Sequence, residues 1–289
     1  MNADILSVIK CRAAGFSKGQ KILARYISES YDKAAFMTAG RLGKTVGVSE
    51  STVVRFAVEL GYNGYPEMQK AMQDMVLNRL TSVQRIEMAY DRIGNQDVVT
   101  TVLQSDVEKL RQTTEILDRN EFRAAVDAIL QAKRIFVLGS RSAAPLAGFL
   151  GYYLQFMFSN VHVVTVSGCS EMFEKLIDIN QDDVVVAFSF PRYSAATAKG
   201  AQYCRTTGAK VIGITDRRLS PLGENSDYIL QAKSDMVSFV DSIVAPLSVV
   251  NAMLVALASG QEQSLSKTFD ALEQVWEEYN VYEKRAENE

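Results

Sequence analysis

The hydrophobic pattern is most informative between residues 38 and 62, where apolar side chains are spaced around a central glycine, Gly47. The apolar positions are Leu42, Val46, Val48, Val53 and Phe56. This spacing is typical of a helix-turn-helix, in which two short helices cross and are joined by a tight turn. The small Gly43 lies where the two crossing helices would approach each other closely.

Residues that commonly cap helices occur at the predicted ends of both helices of the motif. Thr38 is positioned to cap a first helix that ends just before Gly47, since a hydroxyl can accept hydrogen bonds from free amides. Ser49 is a good N-cap for a second helix over residues 50–60, and Gly61 can terminate it. The pattern therefore predicts both helices of the motif and the turn between them.

The polar residues of this segment predict a DNA contact. With Val53 and Phe56 facing inward, the outward positions near the start of the second helix are those that a recognition helix uses to reach base edges. They are Glu50, Ser51, Thr52 and Arg55. Residues expected near the phosphates are Lys44, Ser49 and Tyr65. The alternative is an ordinary helical hairpin in which these polar side chains only solvate a surface.

Helical patterns surround this motif and define an all-α first domain over residues 1–80. Ser17 is placed to cap a helix that supports the motif, and Pro66 begins a later helix with a stripe of methionines. Residues 81–120 are polar and lack strand patterns, so we interpret them as a helical connector. Residues 261–289 form a final helix with an acidic outer face.

The pattern changes from residue 121 onward, where short apolar strands alternate with helices. The predicted strands cover 134–138, 161–166, 183–189, 210–215 and 228–232, and the predicted helices cover 121–132, 143–158, a short stretch after Ser170, 195–207 and 239–259. Fully apolar strands separated by helices indicate a parallel sheet covered on both faces. We expect a doubly wound, flavodoxin-like α/β domain of five parallel strands over residues 121–260.

The distribution of charged residues indicates that the two domains have different roles. Residues 1–80 contain 11 Lys and Arg against 7 Asp and Glu, whereas residues 81–289 contain 20 against 27. A basic first domain on an acidic body suits phosphate contact at one end only. Three scattered cysteines favour a reducing cytoplasm. The start of the chain does not resemble a signal peptide, and the apolar stretch 243–258 is interpreted as a buried helix, so no membrane association is expected.

Two loops at carboxyl ends of the predicted strands form a candidate anion site. In an open parallel sheet, ligands bind outside these ends. The loop residues are Gly139, Ser140 and Ser142 after the first strand and Ser189, Arg192, Ser194 and Thr197 after the third. Hydroxyl groups and helix N-termini can hold a phosphate. The alternative for either loop alone is that the serines are only helix caps.

At this point the sequence resembles a known family. The segment VSESTVVRFAVELGYNGYP resembles the helix-turn-helix of RpiR-family bacterial transcription regulators, and IFVLGSRSAA, DVVVAFSF, YSAAT and KVIGITD resemble the sugar isomerase (SIS) domain that follows it in that family. The resemblance implies a regulator that binds an operator and senses a phosphosugar. It also implies that Ser140 and Ser142 correspond to the first-loop phosphosugar contacts, and Ser194 and Thr197 to those of the second loop.

The second loop departs from the family pattern. Where the family commonly has S-x-S-G-x-T, this chain has SFPRYSAAT, with Ala195 in place of the glycine and with Pro191 and Arg192 inserted. Arg192 can supply a charge-assisted contact to an anion instead of the backbone. The effector is therefore predicted to be a sugar phosphate, with another small anionic metabolite, such as a carboxylate, as the second choice.

Regulation is favoured over catalysis. A sugar isomerase needs a positioned base, usually Glu or His. The single histidine, His162, begins a predicted strand rather than ending it. Glu171 follows the second strand and could reach the cleft, but it is equally explained as an early helical residue that complements the helix dipole. We therefore predict no catalytic residue, no metal and no cofactor. The expected partners are double-stranded operator DNA, a small anionic effector and further copies of the chain in a homodimer or homotetramer.

Overall fold

The computed structural model of the protein describes residues 5–79, 86, 97–165, 168–234 and 240–282. The chain divides into two compact units, Met1–Arg92 and Ile93–Glu289.

The first unit is helical. It contains α1 (Ile5–Arg12), α2 (Lys18–Glu29), α3 (Tyr31–Ala34), α4 (Ala39–Val46), α5 (Glu50–Glu59) and α6 (Tyr65–Arg79). As predicted, Ser17 caps α2, where it forms a reciprocal capping box with Gln20. The methionine stripe of α6 belongs to the core of this unit, because Met68 and Met72 have no exposed surface. This core supports α4 and α5 from behind.

The second unit alternates helices and strands. Its helices are α7 (Val98–Ile116), α8 (Arg119–Gln131), α9 (Ala144–Leu154), α10 (Cys169–Leu176), α11 (Ala195–Thr206), α12 (Val244–Ala258) and α13 (Glu262–Glu278). Its strands are β1 (Arg134–Gly139), β2 (Val161–Val164), β3 (Asp183–Phe188), β4 (Lys210–Thr215) and β5 (Tyr228–Gln231).

The strands form one five-stranded sheet in the order β2-β1-β3-β4-β5, and every pair is parallel. This is the doubly wound, flavodoxin-like order expected from the sequence. The order reverses between β1 and β3, which pair directly from Arg134 opposite Asp183 to Gly139 opposite Phe188. The carboxyl ends of these two strands therefore lie side by side at the position where such sheets bind ligands.

Helices cover the sheet on both faces. Alternate residues of β1 point to opposite sides, so Ile135 and Val137 join a core with α9 and α12, whereas Phe136 and Leu138 join a second core with α10 and α11. All six residues of β3 are buried. Burial on both faces is the physical reason for the continuous apolar strands in the sequence.

Several element bounds differ from the prediction. Helix α9 ends at Leu154 rather than at residue 158, because the chain must turn and rejoin the sheet by Asn160, whose carbonyl accepts the Ile135 amide at 2.9 Å. Strand β2 ends at Val164 rather than at residue 166, and α12 begins at Val244. The predicted start of α12 at residue 239 lies outside the described residues.

Helix α7 belongs to the second unit, although it falls within the stretch that we interpreted as a connector. The Ser242 hydroxyl donates to the Asp106 carboxylate at 2.6 Å, and the Lys233 amide donates to the Thr113 hydroxyl at 2.9 Å. These polar contacts join distant parts of the chain, so the local sequence pattern carries no sign of them. Among the helices that the structure describes, none is long and apolar enough to cross a membrane.

Candidate functional site

The turn between α4 and α5 has the geometry of a helix-turn-helix. The Thr38 hydroxyl accepts the Arg41 amide at 3.2 Å, and Gly47 ends α4 in the left-handed region with φ of +79°. The Ser49 hydroxyl then accepts the Thr52 amide at 3.3 Å and begins α5. Both caps and the turn glycine match the sequence expectation.

Gly43 allows the two helices to cross closely. A Cβ atom at this position would lie 2.8 Å from the Val48 carbonyl oxygen, which is closer than real Cβ atoms approach a backbone atom. Beneath α5, Val53 and Phe56 are completely buried, and the Phe56 ring meets Phe16 edge-on at 5.2 Å. The Arg12 side chain donates to the Glu59 carbonyl at the end of α5. Both ends of α5 and its inner face are therefore held in place.

The predicted DNA contacts differ in how they are placed. Lys44, Ser51 and Arg55 are exposed. The Ser49 hydroxyl bonds the hydroxyls of Ser51 and Thr52 at 2.9 and 2.8 Å, so these three side chains form one cluster at the start of α5.

Two other predicted contacts face neighbouring glycines. The Thr52 methyl group lies 3.3 Å from the position of a Cβ on Gly19, and the Glu50 carboxylate lies 3.1 Å from that of a Cβ on Gly40. Thr52 is half-buried and packs partly within the domain, whereas Glu50 remains exposed, and Arg55 is the exposed cation of the predicted reading face.

Tyr65 does not occupy the phosphate-contact position that we predicted. Its side chain is 4% exposed, and its hydroxyl donates to the Met37 carbonyl at 2.6 Å. Burial raises the pKa of this hydroxyl to about 12. The aromatic ring lies in the core because burying its large apolar area is more favourable than leaving it in water, and the hydroxyl keeps a hydrogen-bond partner. Tyr65 is therefore a core residue of the first unit.

Sequence reasoning missed two exposed valines on α5. Val54 is 39% exposed and Val58 is 56% exposed. They follow Ser51 by three and seven residues, so all three share one face of the helix. The spacing that assigned Val53 and Phe56 to the core already places these two valines outside it, and this was the available signal.

The candidate effector site lies where the sheet order reverses. The Thr197 hydroxyl donates to the Ser140 hydroxyl at 3.2 Å and so joins the loop after β3 to the loop after β1. The Ser194 hydroxyl accepts the Thr197 amide at 3.2 Å and caps α11, while the Ser194 amide donates to the Ser189 hydroxyl at 3.3 Å. Four predicted residues are thus brought together in front of the N-terminus of α11.

Gly139 is required by the path of the first loop. A Cβ atom there would lie 2.7 Å from the Ala143 carbonyl oxygen, because the chain folds back immediately after β1. The next residues pass through a short 3₁₀ turn in which Arg141 has φ of +55°. Ser142 is exposed in that turn.

Arg192 marks the inserted part of the second loop. It is exposed and has φ of +63°, a conformation that residues with a side chain rarely adopt. Such a conformation persists only where the surroundings hold it. The neighbouring Tyr193 is fixed in place by hydrogen bonds of its hydroxyl.

A polar network anchors the inserted loop, and sequence reasoning missed it. The Tyr193 hydroxyl donates to the Asp216 carboxylate at 2.7 Å and accepts from Arg217 Nε at 2.7 Å. Burial, with the nearby Asp216 carboxylate, raises the pKa of this hydroxyl, which therefore remains protonated. Asp216 and Arg217 directly follow β4, so the same rule about strand ends would have found them.

The two side chains weighed as candidate bases, His162 and Glu171, are both exposed. The exposed His162 ring stacks on Phe136 at 4.9 Å. Glu171 is exposed and pairs with Lys175 at 3.2 Å, one helical turn along α10. Both side chains have ordinary packing or surface partners in the structure.

A helix-turn-helix unit followed by a doubly wound parallel sheet defines a two-domain architecture typical of DNA-binding regulators. Residues 3–78 match the helix-turn-helix domain of the rpiR family, and residues 128–256 match the SIS domain. The two models together span most of the chain, which belongs to the RpiR family of transcriptional regulators.

Two similar proteins resemble the chain in sequence and a third resembles it in fold. An HTH-type transcriptional regulator of Clostridium perfringens is 27% identical over 74% of this chain and 76% of its own length. The sugar isomerase domain of an RpiR transcription factor from Sphaerobacter thermophilus has a TM-score of 0.59 at 26% identity, covering 62% of this chain and 99% of that one.

The third similar protein is NanR of Vibrio vulnificus, whose structure was solved in complex with ManNAc-6P. It has a TM-score of 0.59 at 20% identity, covering 97% of this chain and 100% of that one. At this identity the likeness shows a shared fold.

Proposed function

We propose that this regulator binds operator DNA through α5 and responds to a sugar phosphate held between the loops after β1 and β3. The observation that carries the effector assignment is the hydrogen bond from Thr197 to Ser140. It brings hydroxyl groups from both loops together at the reversal point of the sheet, where ligands of such folds bind.

The chemistry of these loops suits a phosphate. The N-terminus of α11 carries partial positive charge and amides that can donate to an anion. The hydroxyls of Ser140, Ser142 and Ser194 add neutral donors around it, and the exposed Arg192 adds a cation at the rim. NanR, which shares this fold, was crystallised with a phosphorylated sugar. A small carboxylate is the second candidate, because Arg192 can form a bidentate contact with it.

A dimer is part of this proposal, since two-fold symmetric regulators bind half-sites about 34 Å apart or a multiple of that. Helices α9 and α12 contain no charged residue, yet Tyr152 is 54% exposed and Val255 is 70% exposed on them. Depletion of charge and enrichment of aromatic residues are typical of interface cores. We propose that a second copy of the chain covers these faces.

The proposed interface is tested by Val255→Glu, which places a charge in it. The variant of the full-length protein should have a smaller mass than the wild type in sedimentation equilibrium, and an unchanged mass would refute the interface.

The effector site is tested by thermal shift of the full-length protein with a panel of sugar phosphates, inorganic phosphate and small carboxylic acids. A ligand that binds only the folded state raises the melting temperature, and the rise grows with the logarithm of the ligand concentration relative to its Kd. The double substitution Ser142→Ala and Ser194→Ala should abolish the shift that the wild type shows with its ligand. Thr206→Ala, which removes an exposed hydroxyl at the opposite end of α11, where it bonds the Tyr203 carbonyl, is the matched control and should retain the shift. A full shift in the double variant would refute the site.

The DNA contact is tested by gel shift on an operator selected from a random duplex pool. Arg55→Ala should weaken binding and relax sequence preference, since a bidentate arginine contact to guanine contributes about 1–3 kcal/mol of discrimination. Arg123→Ala, an exposed arginine on α8, is the control and should bind as the wild type does. Unchanged affinity and preference in Arg55→Ala would show that α5 does not dock in this way.

The proposal excludes catalysis as the role of the SIS domain, and this is checked directly. Purified protein should not turn over aldose or ketose phosphates. Turnover that disappears in Glu171→Gln would establish an isomerase instead.

A further inference from the structure

The outer face of α5 carries an apolar pair that the helix-turn-helix core does not use. Val54 and Val58 are 39% and 56% exposed, whereas Val53, Phe56 and Ala57, on the opposite face, have no exposed surface. The two valines are one turn apart, so their methyl groups form a single short stripe. Ser51 and Arg55 border this stripe and are also exposed.

A valine at an exposed helix position is less favourable than a polar residue unless another group covers it. Exposed helix positions favour alanine and long polar residues, and valine is a weaker helix former because its branched side chain loses rotamer freedom. Leaving the methyl groups in water also gives up their burial. Burial of the stripe against an apolar group in the bound state would offset these costs.

The stripe is continuous with the face that we propose enters the major groove. In that groove the C5-methyl group of thymine is the apolar group that base pairs present. Residues near the N-terminus of a recognition helix reach the base edges, and Val54 is the fifth residue of α5 while Val58 is the ninth. In the proposed docking, Val54 would lie over the bases, and Val58 would lie further along the helix.

We infer that Val54 reads the C5-methyl group of a thymine in each operator half-site. This inference rests on the proposed docking of α5 and deepens it. Val54 and Arg55 are adjacent on the helix, so the thymine lies within about two base pairs of a guanine contacted by Arg55, given a rise of about 1.5 Å per helical residue and about 3.4 Å per base pair.

The experiment replaces each thymine of the selected operator duplex in turn with deoxyuridine, which removes only the methyl group. Affinity of the full-length protein is measured by fluorescence anisotropy. One thymine per half-site should show a loss of about three- to fivefold, the effect of exposing one buried methyl group. In Val54→Ala this loss should disappear, because the variant no longer contacts the methyl group. Val58→Ala is the matched control and should retain it.

The outcomes separate this inference from the proposed function. If Val54→Ala still loses affinity on the same deoxyuridine substitution, or if no thymine methyl group matters to the wild type, the inference is overturned. If Arg55→Ala nevertheless weakens binding, the docking of α5 stands. A change of sedimentation mass in Val54→Ala, with unchanged DNA affinity, would show that the stripe contacts protein instead and would also overturn the inference. Circular dichroism of each variant confirms that the surface substitutions leave the fold intact.

Discussion

The ion pair between Arg134 and Asp183 gives a stability prediction that the structure makes quantitative. The two residues stand opposite each other at the first positions of β1 and β3, away from the candidate effector loops. Arg134 donates to the two carboxylate oxygens at 2.9 and 2.7 Å, and the Asn180 amide donates to one of them at 2.8 Å. Asp183 is 2% exposed. The substitution Asp183→Asn removes this charge without changing the shape of the side chain.

The loss of stability expected for Asp183→Asn follows from this geometry. Removing one partner of a buried pair costs about 3–5 kcal/mol. The Arg134 side chain is 28% exposed and also donates to the Asp178 carbonyl, so it keeps part of its solvation in the variant. We therefore expect Asp183→Asn to destabilise the second unit by about 2–3 kcal/mol.

A neighbouring pair on the surface supplies the control. Lys133 and Asp182 approach to 2.5 Å, but their side chains are 75% and 44% exposed. Exposed pairs contribute at most about 1 kcal/mol, so Asp182→Asn should have little effect. Hydrogen exchange of the β1 and β3 amides in urea is the appropriate assay, because a two-unit chain need not unfold in one step. Equal protection in the two variants would refute the reasoning.

The same pair predicts a pH dependence. Burial by itself would raise the pKa of Asp183, but the hydrogen bonds from Arg134 and Asn180 outweigh it, and the pKa lies below its usual value. The carboxylate therefore stabilises the folded chain at pH values above its unfolded pKa of about 4, and this contribution is lost as the pH falls through the folded pKa. The difference in the free energy of unfolding between wild type and Asp183→Asn should be largest at pH 7 and should decrease below pH 4. A difference that does not change with pH would contradict this explanation.

Three further predictions concern other parts of the molecule. Gly43→Ala should destabilise the first unit by about 1–2 kcal/mol in thermal unfolding, because its Cβ meets backbone, whereas Gly40→Ala meets only a flexible carboxylate and should be neutral or stabilising. Tyr193→Phe should weaken effector binding several-fold in calorimetry, since the inserted loop loses its anchor, while Tyr203→Phe, which loses a bond of 3.4 Å to a carbonyl, should not. Burial raises the pKa of Cys204 to about 12, so a thiol reagent should label the exposed cysteines first and Cys204 only after unfolding.

Local signals made the helix-turn-helix and the parallel α/β architecture predictable. The caps Thr38 and Ser49 and the turn residue Gly47 act within a few residues of their own position, so their identities alone indicate where the helices begin and end. The parallel architecture followed from apolar strands alternating with helices, because a parallel sheet is covered by helices on both faces and its strands are buried on both sides.

The candidate effector site was predictable only in part. Its loops were found because strand ends and helix caps are local features. The contact between Ser140 and Thr197, and the anchoring of Tyr193 by Asp216, join residues 57 and 23 positions apart and depend on how β1, β3 and β4 align. No local pattern records such an alignment.

By itself, the sequence determined which helices and strands form, their order along the chain and the residues that could contact DNA and an anion. Tertiary structure decided which of those residues remain on a surface. Tyr65 was taken into the core, although its residue type suits a phosphate contact. Val54 differs, because helical spacing alone already places it on the face opposite Val53 and Phe56. The reason for the difference is that the face of a helix follows from local spacing, whereas what packs against that face is set by contacts between distant segments.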